Sequence, residues 1–258
     1  MAATPTPMMR QYLELKEKYQ DCILFFRLGD FYEMFFDDAK LASKELELTL
    51  TGKDCGLSER APMCGVPYHA ASAYISRLIE KGYKVAVCEQ LTDPALSKGL
   101  VERDVIRIVT PGTVADPSQL DEKSACYVLC VAFVGKAAAL AYADVSTGEL
   151  IAHLLPDAQR TLRDELMRIR PREIVTNDMA KLTPHLGETV SCTVLPDSDF
   201  QKKNAQRALL EHFGVPSLTS LGLDERDRRY LAAGALLIYL NDTQKNALPH
   251  LTQLTIYQ

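Results

Sequence analysis

Hydrophobic positions along this 258-residue chain switch repeatedly between a helical and a two-residue period, and each switch predicts an element. Met8, Tyr12, Leu15 and Tyr19 recur at helical spacing behind Thr6-Pro7, an N-cap followed by proline at the first helical position, so an amphipathic helix opens the chain. Cys22 to Leu28 is short, apolar and aromatic, as a buried strand is, and Gly29-Asp30 supply the positive φ angles of a two-residue hairpin connection. The returning strand begins at Phe31. Side chains alternate across a strand, which puts Phe31 and Glu33 on one face and Tyr32 and Met34 on the other.

Beyond the hairpin, 37–46 is helical, 47–51 alternates as a strand ending at Gly52, and 61–69 reads as a loop stiffened by Pro62 and Pro67. Tyr74, Ile75, Leu78 and Ile79 mark one face of a helix stopped by Gly82, and 83–89 and 105–109 supply two further strands. A first domain over 1–115 is therefore α/β, a mixed β-sheet with surrounding helices. The polar, aperiodic stretch 116–124 is its linker.

The second half opens with strands over 125–134 and 137–145, a turn at Ser146-Thr147-Gly148 and a third strand over 149–155. Leu162, Leu166 and Ile169 then line a helix halted by Pro171; 173–176 and 190–195 are strands; 199–213 is a helix ended by Gly214. This alternation describes a second α/β domain over 125–245 whose sheet mixes antiparallel and parallel strands. A last helix, about 224–241, runs toward Leu248-Pro249-His250 with nothing after it to pack against, so 246–258 reads as the start of a further segment and the chain as truncated.

Apolar and charged fractions of 47% and 24% are those of a soluble globular protein, and no run has the length of a membrane span. The amino terminus lacks the features of a signal peptide, and seven cysteines, mostly inside apolar strands, are expected as reduced thiols of a cytoplasmic protein. Charge argues against a phosphate-driven nucleic-acid binder: 29 Lys and Arg stand against 34 Asp and Glu, and neither half is basic. Contact with DNA would need a local patch, for which Lys53, Arg60, His69, Lys98, Arg103 and Arg107 are the candidates, or a larger assembly to supply the phosphate contacts. Phosphate-loop, nucleophile-elbow and dinucleotide fingerprints are missing, and no cysteine or histidine spacing suits zinc. Asp144 and Glu149 flank a turn and could seed a magnesium site, although solvated turn acids are commoner.

The pairing of Phe31 with Glu33 has two readings. In one the ring packs in the core and the acid is solvated. In the other the ring wedges between stacked bases while the carboxylate hydrogen-bonds a base edge. A carboxylate near phosphates is unfavourable, so the second reading requires a base contact that compensates, best met at a base whose edge is not fully used by its partner.

Several segments decide between them by resemblance: Thr6 to Tyr12, Phe26 to Ala39 with its Gly-Asp-Phe-Tyr-Glu core, Pro62 to His69, Cys88-Glu89-Gln90, Val101 to Arg103, Arg107 to Thr113, Asp144 to Gly148, Ala232 to Gly234, Asp242 to Gln244 and Leu248 to His250. Through them nearly the whole chain resembles the amino-terminal part of the MutS family of bacterial DNA mismatch repair proteins. The resemblance implies a mismatch-recognition domain followed by a connector with a ribonuclease H-like α/β fold and no nuclease activity.

It implies that Phe31 stacks on a mispaired base from the minor groove and that Glu33 hydrogen-bonds it, initiating repair of mismatches and small insertion loops in double-stranded DNA. Leu28, which stands where relatives commonly carry methionine, falls near the DNA with Met63, Gly65 and His69, and Arg103 and Arg107 are expected at phosphates. Family proteins continue into lever, clamp and ATPase regions that use ATP and magnesium and form a dimer, and the connector receives the partner MutL; this stretch itself is expected to be non-catalytic and to hold no cofactor. Two rivals remain: magnesium-dependent cleavage by Asp144 and Glu149, and a structural module whose Phe31 is buried.

Overall fold

The computed structural model describes residues 4–92, 101–113, 126–187, 190–245 and 248–257. The chain divides into two compact units, Met1–Thr110 and Pro111–Gln258. The expected linker 116–124 lies outside the described residues.

In the first unit α1 (Pro7–Lys18) starts where expected, with the Thr6 hydroxyl accepting the Met9 N–H at 3.4 Å. β1 (Cys22–Leu28) and β2 (Phe31–Phe35) form the hairpin, and α2 (Phe36–Leu46), β3 (Thr51–Lys53), β4 (Ala61–Pro67), α3 (Ala71–Glu80), β5 (Lys84–Gln90) and β6 (Arg103–Val109) follow. The sheet order is β3-β4-β2-β1-β5-β6, antiparallel except for the β1–β5 pair. Helix α1 covers one face, where Met9, Tyr12 and Leu15 pack with Leu24, Phe26, Phe35, Cys88 and Val105. On the other face the Cys64 thiol donates to Ala39 O of α2 at 3.5 Å, and Arg77 of α3 reaches Leu46 O.

Asp38, buried at the start of α2, binds three elements together: it accepts from the Leu24 N–H (2.9 Å), Lys16 Nζ (2.9 Å) and the Tyr12 hydroxyl (3.4 Å). Its charge is matched by one cation and two further donors, as burial demands.

Two expectations fail here. The strand expected over 47–51 starts at Thr51 and runs on through Gly52, because Glu47 takes a left-handed conformation (φ 59) that ends α2, and both Glu47 and Leu48 donate to Ser43 O. The expected loop over 61–69 is instead strand β4, inserted between β3 and β2. Its prolines are tolerated because Pro62 lies outside the β2 register, which begins at Met63, and Pro67 is the last paired residue.

The second unit contains β7 (Tyr127–Val134), β8 (Ala137–Asp144), β9 (Glu149–Leu155), α4 (Ala158–Ile169), β10 (Glu173–Thr176), α5 (Met179–Leu182), β11 (Ser191–Val194), α6 (Lys202–Phe213), α7 (Arg229–Gln244) and β12 (Thr255–Ile256). Strands β7 to β9 form an antiparallel meander, and β10 and β11 add parallel to β7, giving the order β11-β10-β7-β8-β9-β12. This is a mixed sheet of antiparallel and parallel strands. Helix α7 is buried along most of its length against one face and α4 packs on the other.

Helix α6 begins at Lys202 after a 3-10 turn over Asp197–Phe200, and α7 begins at Arg229 rather than 224, since Asp224 accepts the Arg226 and Asp227 N–H groups in a turn. The tail also corrects the reading of an unpacked end: Leu248, Leu251 and Leu254 are buried in the second core, and β12 pairs parallel with β9. Residues 111–113, on the near side of the expected linker, also lie on this unit, where the Gly112 N–H donates to Glu173 Oε2 at 3.2 Å.

All seven cysteines are free and six are buried; burial pushes the Cys64 thiol up to about 11 and those of Cys22 and Cys88 to about 12, which leaves them unreactive. Among the described residues no helix is long and apolar enough to cross a membrane.

Candidate nucleic-acid interface

The β1–β2 hairpin closes with Leu28 opposite Phe31, leaving Gly29 and Asp30 as the turn. Only Gly29 has a positive φ (57°), so the turn needs one left-handed residue, as in type II′, and not the two expected. Along β2 the alternation is as expected. Phe31 is 47% exposed, Tyr32 and Met34 are buried, and Glu33 is half-buried. The structural-module reading required a buried Phe31; its ring is instead among the most exposed large hydrophobic groups of the chain.

The opposite side of the hairpin is braced. The Tyr32 hydroxyl donates to Glu89 Oε1, and Arg27 Nη1 reaches the same oxygen at 3.4 Å. The Arg27 guanidinium lies 3.9 Å from the Tyr68 ring centroid and 5.5 Å from that of Tyr32. The Tyr68 N–H donates to Asp30 O (2.9 Å), tying the end of β4 to the turn. Burial, reinforced by the Glu89 carboxylate, pushes the Tyr32 phenol up to about 12.

On the Phe31 side, register collects the site from four strands. Glu33 lies opposite Gly65, Met63 opposite Phe35 and Thr51, and Lys53 opposite Ala61, so Leu28, Phe31, Glu33, Met63, Gly65 and Lys53 share one face. A Cβ on Gly65 would sit 3.2 Å from Tyr32 O, tighter than most such contacts, and in ordinary contact with Glu33 Cγ at 3.5 Å, so glycine eases the approach of β4 to the β2 backbone. Leu28 and Met63 are half-buried and pack at the edge of the first core. Lys53 Nζ bonds Glu33 Oε2 at 2.6 Å and lies 5.9 Å from the Phe35 ring.

Sequence reasoning placed Lys53 only among scattered basic candidates. The missing signal was the β3–β4–β2 register, which joins residues twenty positions apart.

Other candidates fall elsewhere. His69 is exposed in the 3-10 turn after β4, edge-on to Tyr68. Arg103 is buried, and its Nε and Nη1 donate to Arg27 O (2.8 Å), Val101 O (2.8 Å) and Gln11 Oε1 (3.2 Å) while its guanidinium lies 5.3 Å from the Phe26 ring, so it ties β6 to β1 and α1. Arg107 is exposed but pairs with Val87, which is in register with Phe25, and so stands on the opposite sheet face from Phe31. The Arg60 guanidinium donates to Gly52 O. Lys98 lies outside the described residues.

In the second unit Asp144 is buried as a turn cap. Its Oδ1 accepts from the Ser146 N–H (2.9 Å) and hydroxyl (2.6 Å), and Oδ2 accepts the Cys126 N–H (3.1 Å); Glu149 accepts the Tyr127 hydroxyl at 2.6 Å. Both acids are thus used in holding the β8–β9 turn and its neighbours, and among the described residues no cluster of three or more His, Cys, Asp or Glu side chains could hold a metal ion.

Residues 6–118 match a family model described as MutS domain I, and residues 126–252 match MutS domain II. The DNA mismatch repair protein MutS of Lachnoclostridium phytofermentans is 50% identical over 98% of this chain and 28% of its own length. That of Ruminiclostridium cellulolyticum is 49% identical over 98% of this chain and 30% of its own, and that of Acetivibrio thermocellus 49% over 99% and 30%. The chain thus spans under a third of the length of the curated relatives it matches.

Proposed function

The chain belongs to the MutS family of DNA mismatch repair proteins, and from that membership we propose that the exposed face of the β1–β2 hairpin reads mispaired or unpaired bases from the minor groove. Phe31 is the wedge and Glu33 the acid that hydrogen-bonds the displaced base. The observation that carries the reading is a phenylalanine ring left 47% exposed at the tip of a hairpin whose next ring, Tyr32, is buried and hydrogen-bonded. A ring held this way enters a base step without first being ordered.

Discrimination then follows from the DNA. An intact duplex resists unstacking by a few kcal/mol per step, and a mispair lowers that cost, so a wedge of constant shape reads deformability more than base identity. Stacking on the ring returns about 1–3 kcal/mol. The half-buried Glu33 adds a hydrogen bond that a base can meet only when its edge is free. Magnesium-dependent cleavage by Asp144 and Glu149 is the less favoured reading of the second unit, because both acids are engaged by neighbouring donors.

The test is the affinity of the full-length protein, wild type and Phe31→Ala, for a G·T duplex and its matched counterpart at one salt concentration, with thermal stability measured alongside. Loss of mismatch preference at unchanged stability supports the wedge. Retained preference rejects it.

A further inference from the structure

Glu33 raises an electrostatic problem that Phe31 does not. A carboxylate presented to a duplex faces phosphates, and like charges brought together at an interface are unfavourable unless something offsets them. The offset is already present in the free protein. Lys53 Nζ sits 2.6 Å from Glu33 Oε2, with the lysine side chain 33% exposed and the glutamate 15%. The Phe35 ring lies 5.9 Å from the ammonium, so the cation has a second contact that holds it beside the acid. The other oxygen, Oε1, has no protein donor among the described residues and shares its sheet face with Phe31.

We propose that Lys53 is the positioning residue of this site: it neutralises Glu33 through Oε2 and leaves Oε1 to accept from a base. The inference rests on the reading of Glu33 given above and adds to it the source of the acid's tolerance near phosphates. As a contribution to stability the pair is minor, because partly exposed ion pairs are worth little. Its consequence falls on binding. Without Lys53 the carboxylate would repel any duplex, matched or not, whereas removing both charges would leave nothing to neutralise.

The experiment is a double-mutant cycle in the full-length protein with Glu33→Gln, Lys53→Met and the pair, plus Lys53→Arg, read as dissociation constants for G·T and matched duplexes. Lys53→Met should weaken binding to both duplexes about tenfold, the scale of a like-charge contact screened by water and salt at a partly exposed site. The same change in the Glu33→Gln background should weaken binding less than about threefold, and Lys53→Arg should stay near wild type. Equal losses in the two backgrounds would make Lys53 an ordinary phosphate ligand and overturn the proposal, as would unchanged binding in Lys53→Met. The mismatch-to-match ratio of Glu33→Gln tests the other claim separately. If that ratio matches wild type while the two charges still couple, the base contact fails and the counter-ion role stands; if the ratio falls while the charges act additively, the reverse holds.

Discussion

Phe31 and Tyr32 are consecutive on one strand and end in opposite environments, the first ring 47% exposed and the second 7%. The contrast follows from the two-residue period of the strand, with the brace beneath the hairpin holding it in place.

Truncating an exposed ring should hardly change stability. Phe31→Ala is expected within about 0.5 kcal/mol of wild type, whereas Phe35→Ala, fully buried on the same strand face, should cost about 3–5 kcal/mol. Chemical denaturation of both variants checks this. A loss of more than 2 kcal/mol for Phe31→Ala would point to a packing role.

The brace is tested through Tyr32. Tyr32→Phe removes the hydrogen bond to Glu89 and should cost about 1–2 kcal/mol. The folded phenol is raised to about 12, above the ordinary value near 10, so the protonated form is the one favoured by folding. Its contribution is therefore complete below about pH 10 and is lost as pH rises toward 12. Alkaline unfolding curves of wild type and Tyr32→Phe should converge over that interval, and parallel curves would contradict the assignment.

In the second unit α6 and α7 touch at Gly234. A Cβ there would lie 2.4–2.6 Å from Ala205 atoms, backbone included. Gly234→Ala has to separate the helices and should cost about 1–3 kcal/mol, even though alanine is the better helix former. A higher melting temperature for this variant would disprove the close crossing.

His153 supplies an acid-sensitive element. Its ring lies 5.1 Å from that of Tyr257, its Nδ1 is buried without a hydrogen-bond partner among the described residues, and burial holds its basicity below the ordinary histidine range. The unfolded chain binds that proton more readily. The neutral ring's contribution is thus intact above about pH 6.5 and is lost as pH falls through the lower folded value. His153→Phe keeps a ring for Tyr257 and should flatten the acid limb of stability against pH; an unchanged limb would assign it to other groups.

Local signals made much of this protein legible. Thr6-Pro7 announced α1, Gly29 the hairpin, and the alternation through Phe31, Tyr32 and Glu33 already divided a more exposed side from a packed one, because capping, turn conformation and strand period depend on residues close in sequence. The mixture of antiparallel and parallel strands in the second sheet was foreshadowed by its alternation of strand and helix signals. Register between remote segments was not legible. Whether 61–67 was loop or strand depended on β2 and β3 offering edges on either side, and the buried fate of Arg103 depended on carbonyls of Arg27 and Val101 and on the Gln11 side chain converging on its guanidinium. The meeting of Lys53 with Glu33 had the same origin. Sequence determined which side chains each element presents; tertiary structure decided which of them meet, because charge pairing and burial act through space, between groups the chain separates by tens of residues.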